Sequence, residues 1–377
     1  MTVEQCWQPV PGGSGTYIRE LLHEYATLPG VEVSGIAALH RRPADPPLGP
    51  TPVRRVPLPR TALYEAWSRW RLPRSSGAVD VVHATTWAVP GSRRPLVVTV
   101  HDLAFLHDPG HFTPRGVQFF QRGLRIARDE AAAVVVPSSV TRDDCLAAGF
   151  SPDRVHVVPH GVRPVITTPE QVASFRKRFG LTRPYVLWAG TREPRKNLPT
   201  LVSAFDRALA RGADLDLVLV GPDGWGPERS RLSGLGAERV RLLGRVAEED
   251  LHAAYAGARV FCYPSLREGY GMPVTEAMAH GVPVVTSRGT ATEEAAGGAA
   301  VLVDPRDEVD VARGLLEAAD DSRQAALREA SLHRAAGLSW AASARATVDV
   351  LRWAREHGPQ QRTRAPADPR TGRRTFL

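Results

Sequence analysis

The stretch Leu266-Arg267-Glu268-Gly269-Tyr270-Gly271-Met272-Pro273-Val274-Thr275-Glu276-Ala277-Met278-Ala279-His280-Gly281 sets two carboxylates on either side of a glycine-rich turn, with a proline suited to the first turn of a helix. An apolar run at 259–263 precedes it and another at 282–286 follows, so the segment reads as strand, turn, helix, strand. Such a turn brings backbone close to a ligand, and free N–H groups at the helix start attract phosphate oxygens with the help of the helix dipole. Glu276 in the first helical turn can then hold vicinal hydroxyls of a ribose, while Glu268, before the turn, reaches a different part of the same ligand. An isolated pair of this kind could also be a helix cap and a solvated surface group.

The same alternation extends outward. Strands are expected at 185–190, 215–221, 239–243, 259–263 and 282–286, with helices at 197–211, 247–257, 273–280, about 308–319 and 339–356. The first half adds strands Val79 to His83, Leu96 to Val100, Ala133 to Pro137 and Val155 to Val158. Short apolar runs alternating with helices predict an α/β class with parallel sheets. A length of 377 residues suggests two such domains and a cleft between them. The expected division is an N-terminal Rossmann-like domain at 1–165, a C-terminal one at 166–338, a helix at 339–357 crossing back to the first, and a disordered tail at 358–377. Proline-rich 43–59 reads as a surface loop.

Composition narrows the function class. Hydrophobic residues at 43% and charged residues at 23% suit a folded soluble protein, and no run approaches the roughly 18 apolar residues that a membrane span needs. The expected location is cytoplasmic, either free or peripheral at the acidic inner face of the membrane. Cys6, Cys145 and Cys262 lie too far apart for a metal knuckle or a disulfide framework. A net charge of +8 favours anionic partners, yet there is no basic recognition helix or aromatic ribonucleoprotein motif, so nucleic acid is not the expected partner.

Other segments offer ligand chemistry. In Gly190-Thr191-Arg192-Glu193-Pro194-Arg195-Lys196-Asn197 the cations sit at the C-terminal edge of a strand, where open α/β sheets bind ligands. Lys196 brings a mobile point charge and Arg195 a planar fork for phosphate. The loop Pro11-Gly12-Gly13-Ser14-Gly15, expected between a short first strand and a helix beginning near Tyr17, lets Gly12, Gly13 and Gly15 offer backbone amides to a diphosphate from across the cleft. Tyr64, Trp67 and Trp70, spaced three apart among arginines, either face a lipid interface and a lipid-linked acceptor or pack on their own sheet. Asp214 and Asp216 have the spacing of a metal-binding pair, but they open a strand and should both lie on one face near solvent. No metal or other cofactor is expected.

"REGYGMPVTEAMAHGVPVVTS" resembles the signature of the family-four retaining glycosyltransferases of the GT-B fold. So do "PGGSGTYIREL", "VVTVHDLAFLHDP", "VVPSSVTRDD", "VHVVPHGV", "YVLWAGTREPRKNLPTLVSAF", "LVLVGPDGWG" and "VRLLGRVAEEDLHAAYAGARVFCYPS", in the same order. The resemblance implies two Rossmann-like domains facing a central cleft, a nucleotide-sugar donor in the second and a glycan or lipid-linked acceptor in the first. It assigns Glu268 to sugar hydroxyls and Glu276 to ribose, with Gly269, Tyr270, Gly271 and Met272 lying against the donor. Lys196 and Arg195 would neutralise the departing diphosphate. Many relatives have an arginine where this chain has Thr191, so the partner of Lys196 is Arg195 or Arg192. Gly190, Gly221, Pro222, Gly244 and Arg245 resemble further donor contacts, with Arg245 either stacking on the base or pointing into water.

By the same resemblance His101 approaches the donor sugar, and Asp102 contributes there or only fixes the turn. The "GTREPRKN" form resembles mannosyltransferase-like members and points to GDP-mannose. Retention of anomeric configuration is implied, without a metal ion. An epimerase or hydrolase of the same fold would act without an acceptor.

Overall fold

The structure, a computed structural model, describes residues 1–75, 79–224 and 238–358. Six parallel strands build the first half: β1 (Gly35–Ala37), β2 (Val53–Arg55), β3 (Val82–Ala84), β4 (Leu96–Thr99), β5 (Ala133–Val136) and β6 (Val155–Val157). β1 pairs with β2, and β3 through β6 pair in order. Residues 1–3 join the two groups: Thr2 bridges Ile36, and its N–H donates to the His83 carbonyl at 2.9 Å. Counting that segment first, the strands run 3-2-1-4-5-6-7, which extends the Rossmann order.

The second half holds β7 (Tyr185–Ala189), β8 (Asp216–Val220), β9 (Val240–Gly244), β10 (Val260–Tyr263), β11 (Val284–Ser287) and β12 (Ala300–Val303), all parallel, in the order β12-β11-β10-β7-β8-β9. That is again 3-2-1-4-5-6. Except at β9 and β12, these strands are buried residue by residue, because helices cover both faces. This burial explains why they read in sequence as continuous apolar runs. Trp188, Phe205, Tyr255 and Phe261 anchor their core.

Helix Trp340–His357, capped by the Ser339 hydroxyl on the Ala342 N–H, returns to the first half. Its Trp340, Ala344 and Val348 pack with Val3, Tyr17 and Leu21, and its Val350 and Ala354 with Val97 and Val135.

Two expectations for the first half need correction. The proline-rich stretch at 43–59 is not all loop, since Val53–Arg55 pairs along β1. The glycines do not precede the first helix but open it: the helix runs Gly12–Tyr25, after a single 3-10 turn at Glu4–Trp7. The expected tail lies, apart from Gly358, outside the described residues.

Candidate functional site

The order of the second sheet reverses between β7 and β10, so the connections leaving their C-terminal ends diverge and open a crevice. The turn after β7 and the turn after β10 line it, and they are joined to each other. The Leu266 N–H donates to the Arg195 carbonyl at 2.8 Å, and the Asn197 carboxamide donates to the Pro264 carbonyl at 3.0 Å.

Glu268 sits at the centre, 9% exposed. One carboxylate oxygen accepts from Lys196, from the Tyr263 hydroxyl at 3.0 Å and from the Ser265 hydroxyl at 2.9 Å; the other accepts from Arg195 at 2.7 Å. Burial alone would raise its pKa, but Arg195 and Lys196 hold it down at about 2. One carboxylate serves two cations, and they do not profit equally. Burial also works against the charge on Arg195, where Glu268, Asp102 and Glu193 outweigh it. Lys196 stays below its ordinary value, because burial and repulsion from Arg195 exceed what Glu268 returns. A cation held this way gains from a second anion, which is what a diphosphate supplies.

Arg192 is placed elsewhere. It pairs with Asp223, and its N–H donates to the Pro222 carbonyl at 3.3 Å. Beside it the strand-end glycines form a row: the Gly190 N–H donates to the Val220 carbonyl at 2.9 Å and the Gly221 N–H to the Gly244 carbonyl at 2.8 Å. Gly221 has a φ of 136°, and a Cβ there would lie 1.8 Å from the Gly190 carbonyl oxygen, so only glycine keeps this edge closed. The Thr191 carbonyl accepts from the Glu193 N–H at 2.9 Å. Arg245 is exposed, and its guanidinium donates to the Pro9 carbonyl of the first domain at 3.3 Å.

Gly271, with φ 105°, turns the chain into helix Met272–Ala279, and Glu276 follows one turn later. The Tyr255 hydroxyl donates to one oxygen of Glu276 at 3.0 Å. Burial raises the Glu276 pKa, and this hydrogen bond opposes the rise.

The first domain closes over this edge. A Cβ on Gly13 would lie 3.3 Å from the Met272 sulfur, while Gly12, at φ 60°, has open space around that position and Gly15 packs on Pro11. The Gly269 carbonyl accepts from the Ser138 hydroxyl at 2.7 Å and the Thr141 hydroxyl at 3.1 Å, and the Tyr270 hydroxyl donates to the His160 carbonyl at 3.0 Å. Gly269 also touches His101 and Asp102. His101 Nε2 donates to the Thr85 carbonyl at 3.0 Å, which leaves Nδ1 as an acceptor, and burial lowers the pKa so that the ring is neutral near pH 7. Asp102 accepts from the Ala104 N–H at 3.0 Å, a turn-fixing bond.

Some sequence-selected residues lie away from this crevice. Trp67 is fully buried, its indole donating to the Pro73 carbonyl at 3.1 Å, and Tyr64 stacks on Phe119. They pack on their own domain, and only Trp70 is exposed, at 68%. Asp214 and Asp216 do lie on one face, each beside Arg183 and Arg239, but only Asp214 meets solvent, and Asp216 is 1% exposed. Among the described residues no group of three His, Cys, Asp or Glu is placed to hold a metal ion, and no helix is long and apolar enough to cross a membrane.

Sequence reasoning missed Tyr263, Ser265 and Tyr255. Tyr263 ends β10 beside the switch point, Ser265 follows two residues later, and both were open to the strand-end rule that selected Lys196. Tyr255 meets Glu276 from a helix 21 residues earlier, with no local signal.

The chain is similar to known proteins over most of its length. A family model described as Glycosyltransferase Family 4 matches residues 11–165, and one described as Glycosyl transferases group 1 matches residues 183–321. The chain is 28% identical to O-antigen chain mannosyltransferase B of Escherichia coli, over 80% of this chain and 81% of that protein. It is 31% identical to D-inositol 3-phosphate glycosyltransferase 1 of Catenulispora acidiphila, over 92% of each. Among solved structures, Anabaena HepE in complex with UDP and glucose aligns with a TM-score of 0.71 at 20% identity, over 93% of this chain and 98% of that one, a likeness of fold.

Proposed function

Because the chain belongs to glycosyltransferase family four and has the GT-B fold, we propose that it transfers a hexose from a nucleotide sugar to a hydroxyl of a glycan or glycolipid, with GDP-mannose as donor. The observation that carries this reading is the meeting of Lys196 and Arg195 on Glu268 at the switch point, under a loop that the first domain grips. The E. coli relative's mannosyltransferase name supports mannose, and the nucleotide and sugar in the HepE structure support a nucleotide-sugar donor.

In this reading the diphosphate competes with Glu268 for the two cations. As Lys196 and Arg195 turn toward the leaving phosphate, Glu268 becomes free to accept from sugar hydroxyls, and the charge that develops on the nucleoside diphosphate is neutralised without a metal ion. Glu276 holds the ribose with its second oxygen. His101, neutral and accepting through Nδ1, is suited to a sugar hydroxyl. With Glu268 engaged by its cations and Glu276 given to the ribose, neither carboxylate serves as the nucleophile, and the retention that the family resemblance implies is met by transfer on one face, the departing diphosphate taking the acceptor proton. The enzyme works in the cytoplasm.

Thermal shift with GDP, UDP and ADP, followed by acceptor-dependent diphosphate release with and without a chelator, tests this reading. Stabilisation by GDP and release that needs an acceptor but survives chelation are expected. Release without acceptor, or a trapped covalent glycosyl adduct, would overturn it.

A further inference from the structure

Helices Arg60–Trp70 and Pro114–Glu130 lie against each other on the first domain, and a cavity of about 470 Å³ opens between them, lined by Glu65, Arg69, Trp70, Arg115, Gln118 and Arg122. Three guanidinium groups surround one carboxylate: Glu65 meets Arg69 at 2.8 Å, Arg122 at 3.5 Å and Arg115 at 3.8 Å. A carboxylate offers about four acceptor positions and each guanidinium five N–H donors, so donors are left over. The Nε of Arg122 is sealed from solvent without a hydrogen-bond partner, and the Arg115 side chain is 79% exposed. The excess positive charge calls for an anion. Trp70 adds an open indole face beside it.

We propose that this groove binds the acceptor through an anionic saccharide unit, a pyranose carrying a phosphate or carboxylate. The C–H face of the ring lies on Trp70, Gln118 and Glu65 take hydroxyls, and the Arg115 and Arg122 forks take the anion. A lipid surface is the weaker match, because Tyr64 and Trp67 turn inward and leave Trp70 as the one exposed aromatic of this helix. The position suits an extended acceptor. Arg60, at the start of the first helix, hydrogen-bonds Gln8 in the loop that Arg245 reaches from the second domain. Glu65 lies five residues further along the same helix, about 8 Å from Arg60 along its axis.

Naming the acceptor rests on the glycosyltransferase reading, whereas the binding can be measured without it. Calorimetry on the full chain would compare glucose 6-phosphate, glucuronate, glucose and inorganic phosphate, with Trp70→Ala and Arg115→Gln as variants. Both anionic sugars should bind, with glucose and phosphate at least about tenfold weaker. Each variant should weaken the anionic sugars about fivefold or more while leaving the melting temperature and GDP binding unchanged. Phosphate binding as tightly as glucose 6-phosphate would reduce the groove to a plain anion site and overturn the proposal. So would binding to phosphatidylglycerol vesicles that needs Trp70 while no anionic sugar binds. Failure of every nucleoside diphosphate to bind would instead remove the donor reading, leaving the sugar result to be judged alone.

Discussion

Gly269 of the second domain lies so close to His101 of the first that a Cβ on it would fall 1.7 Å from the His101 carbonyl oxygen. No side chain can be accommodated there without parting the domains. We expect Gly269→Ala to fold, with a modest loss of stability, and to lower kcat by about 100-fold, the scale on which a misplacement near 1 Å acts. Steady-state kinetics with small-angle scattering would check this; unchanged kcat at an unchanged radius of gyration would count against a closed working arrangement.

The four-donor environment of Glu268 makes acid stability a readout. Its folded pKa of about 2 lies below the ordinary glutamate value of 4.5, so the group stabilises the fold above pH 4.5 and loses that contribution as pH falls toward 2. The amount is on the order of 3 kcal/mol, offset in part by the depressed Lys196. Glu268→Ala, which strands two buried cations, should cost about 3–5 kcal/mol at pH 7 and flatten the acid limb of a denaturation profile. Glu268→Gln should keep more of the fold and still reduce turnover. A Glu268→Ala protein with wild-type stability would contradict the arrangement.

The hydroxyl of Tyr255 donates to one oxygen of Glu276, and the proposed function gives the other oxygen to the ribose. Tyr255→Phe removes one hydrogen bond to a carboxyl group, worth up to about 1.5–3 kcal/mol, so the donor KM should rise roughly tenfold with kcat nearly kept. A 2′,3′-dideoxyribose donor should show no such rise. Non-additivity with Glu276→Ala in a double-mutant cycle would tie the effect to that carboxyl group, and full additivity would separate the two residues.

Trp67 and Trp70, three residues apart on one helix, should behave oppositely. Trp67→Ala is expected to cost about 3–5 kcal/mol in chemical denaturation, as buried aromatics do. Trp70→Ala should stay within about 0.5 kcal/mol. Equal costs would mean that the helix is rotated about its axis.

The second domain was legible because strands buried on both faces read as apolar runs, and because ligands gather where such strands end. Helix Glu308–Ala319 has the bounds its pattern suggests. The first domain was harder to read at its edge. Gly35–Ala37 and Val53–Arg55 are three residues each, one opening with glycine and the other ending in two arginines, and neither outweighs the prolines around it. The glycines at 12–15 look like a loop by composition, yet the helix starts among them. A three-residue aromatic spacing fixes a helix face but not what the face meets, so Tyr64 and Trp67 could not be told from a lipid-facing stripe. The way one carboxylate, Glu268, is shared by Arg195 and Lys196 is a contact between two turns some 70 residues apart, and only the fold discloses it.

Helix Trp340–His357 gives the order of synthesis a physical meaning. The apolar wall formed by Val3, Tyr17 and Leu21 is made well before its cover, which leaves the ribosome only after the whole second domain. Until then the early domain has a wet, sticky face, and the second domain must be complete before the first one is. A fragment ending near residue 165 would keep that face permanently and should aggregate, so the halves of this enzyme are partners in folding as well as walls of a cleft.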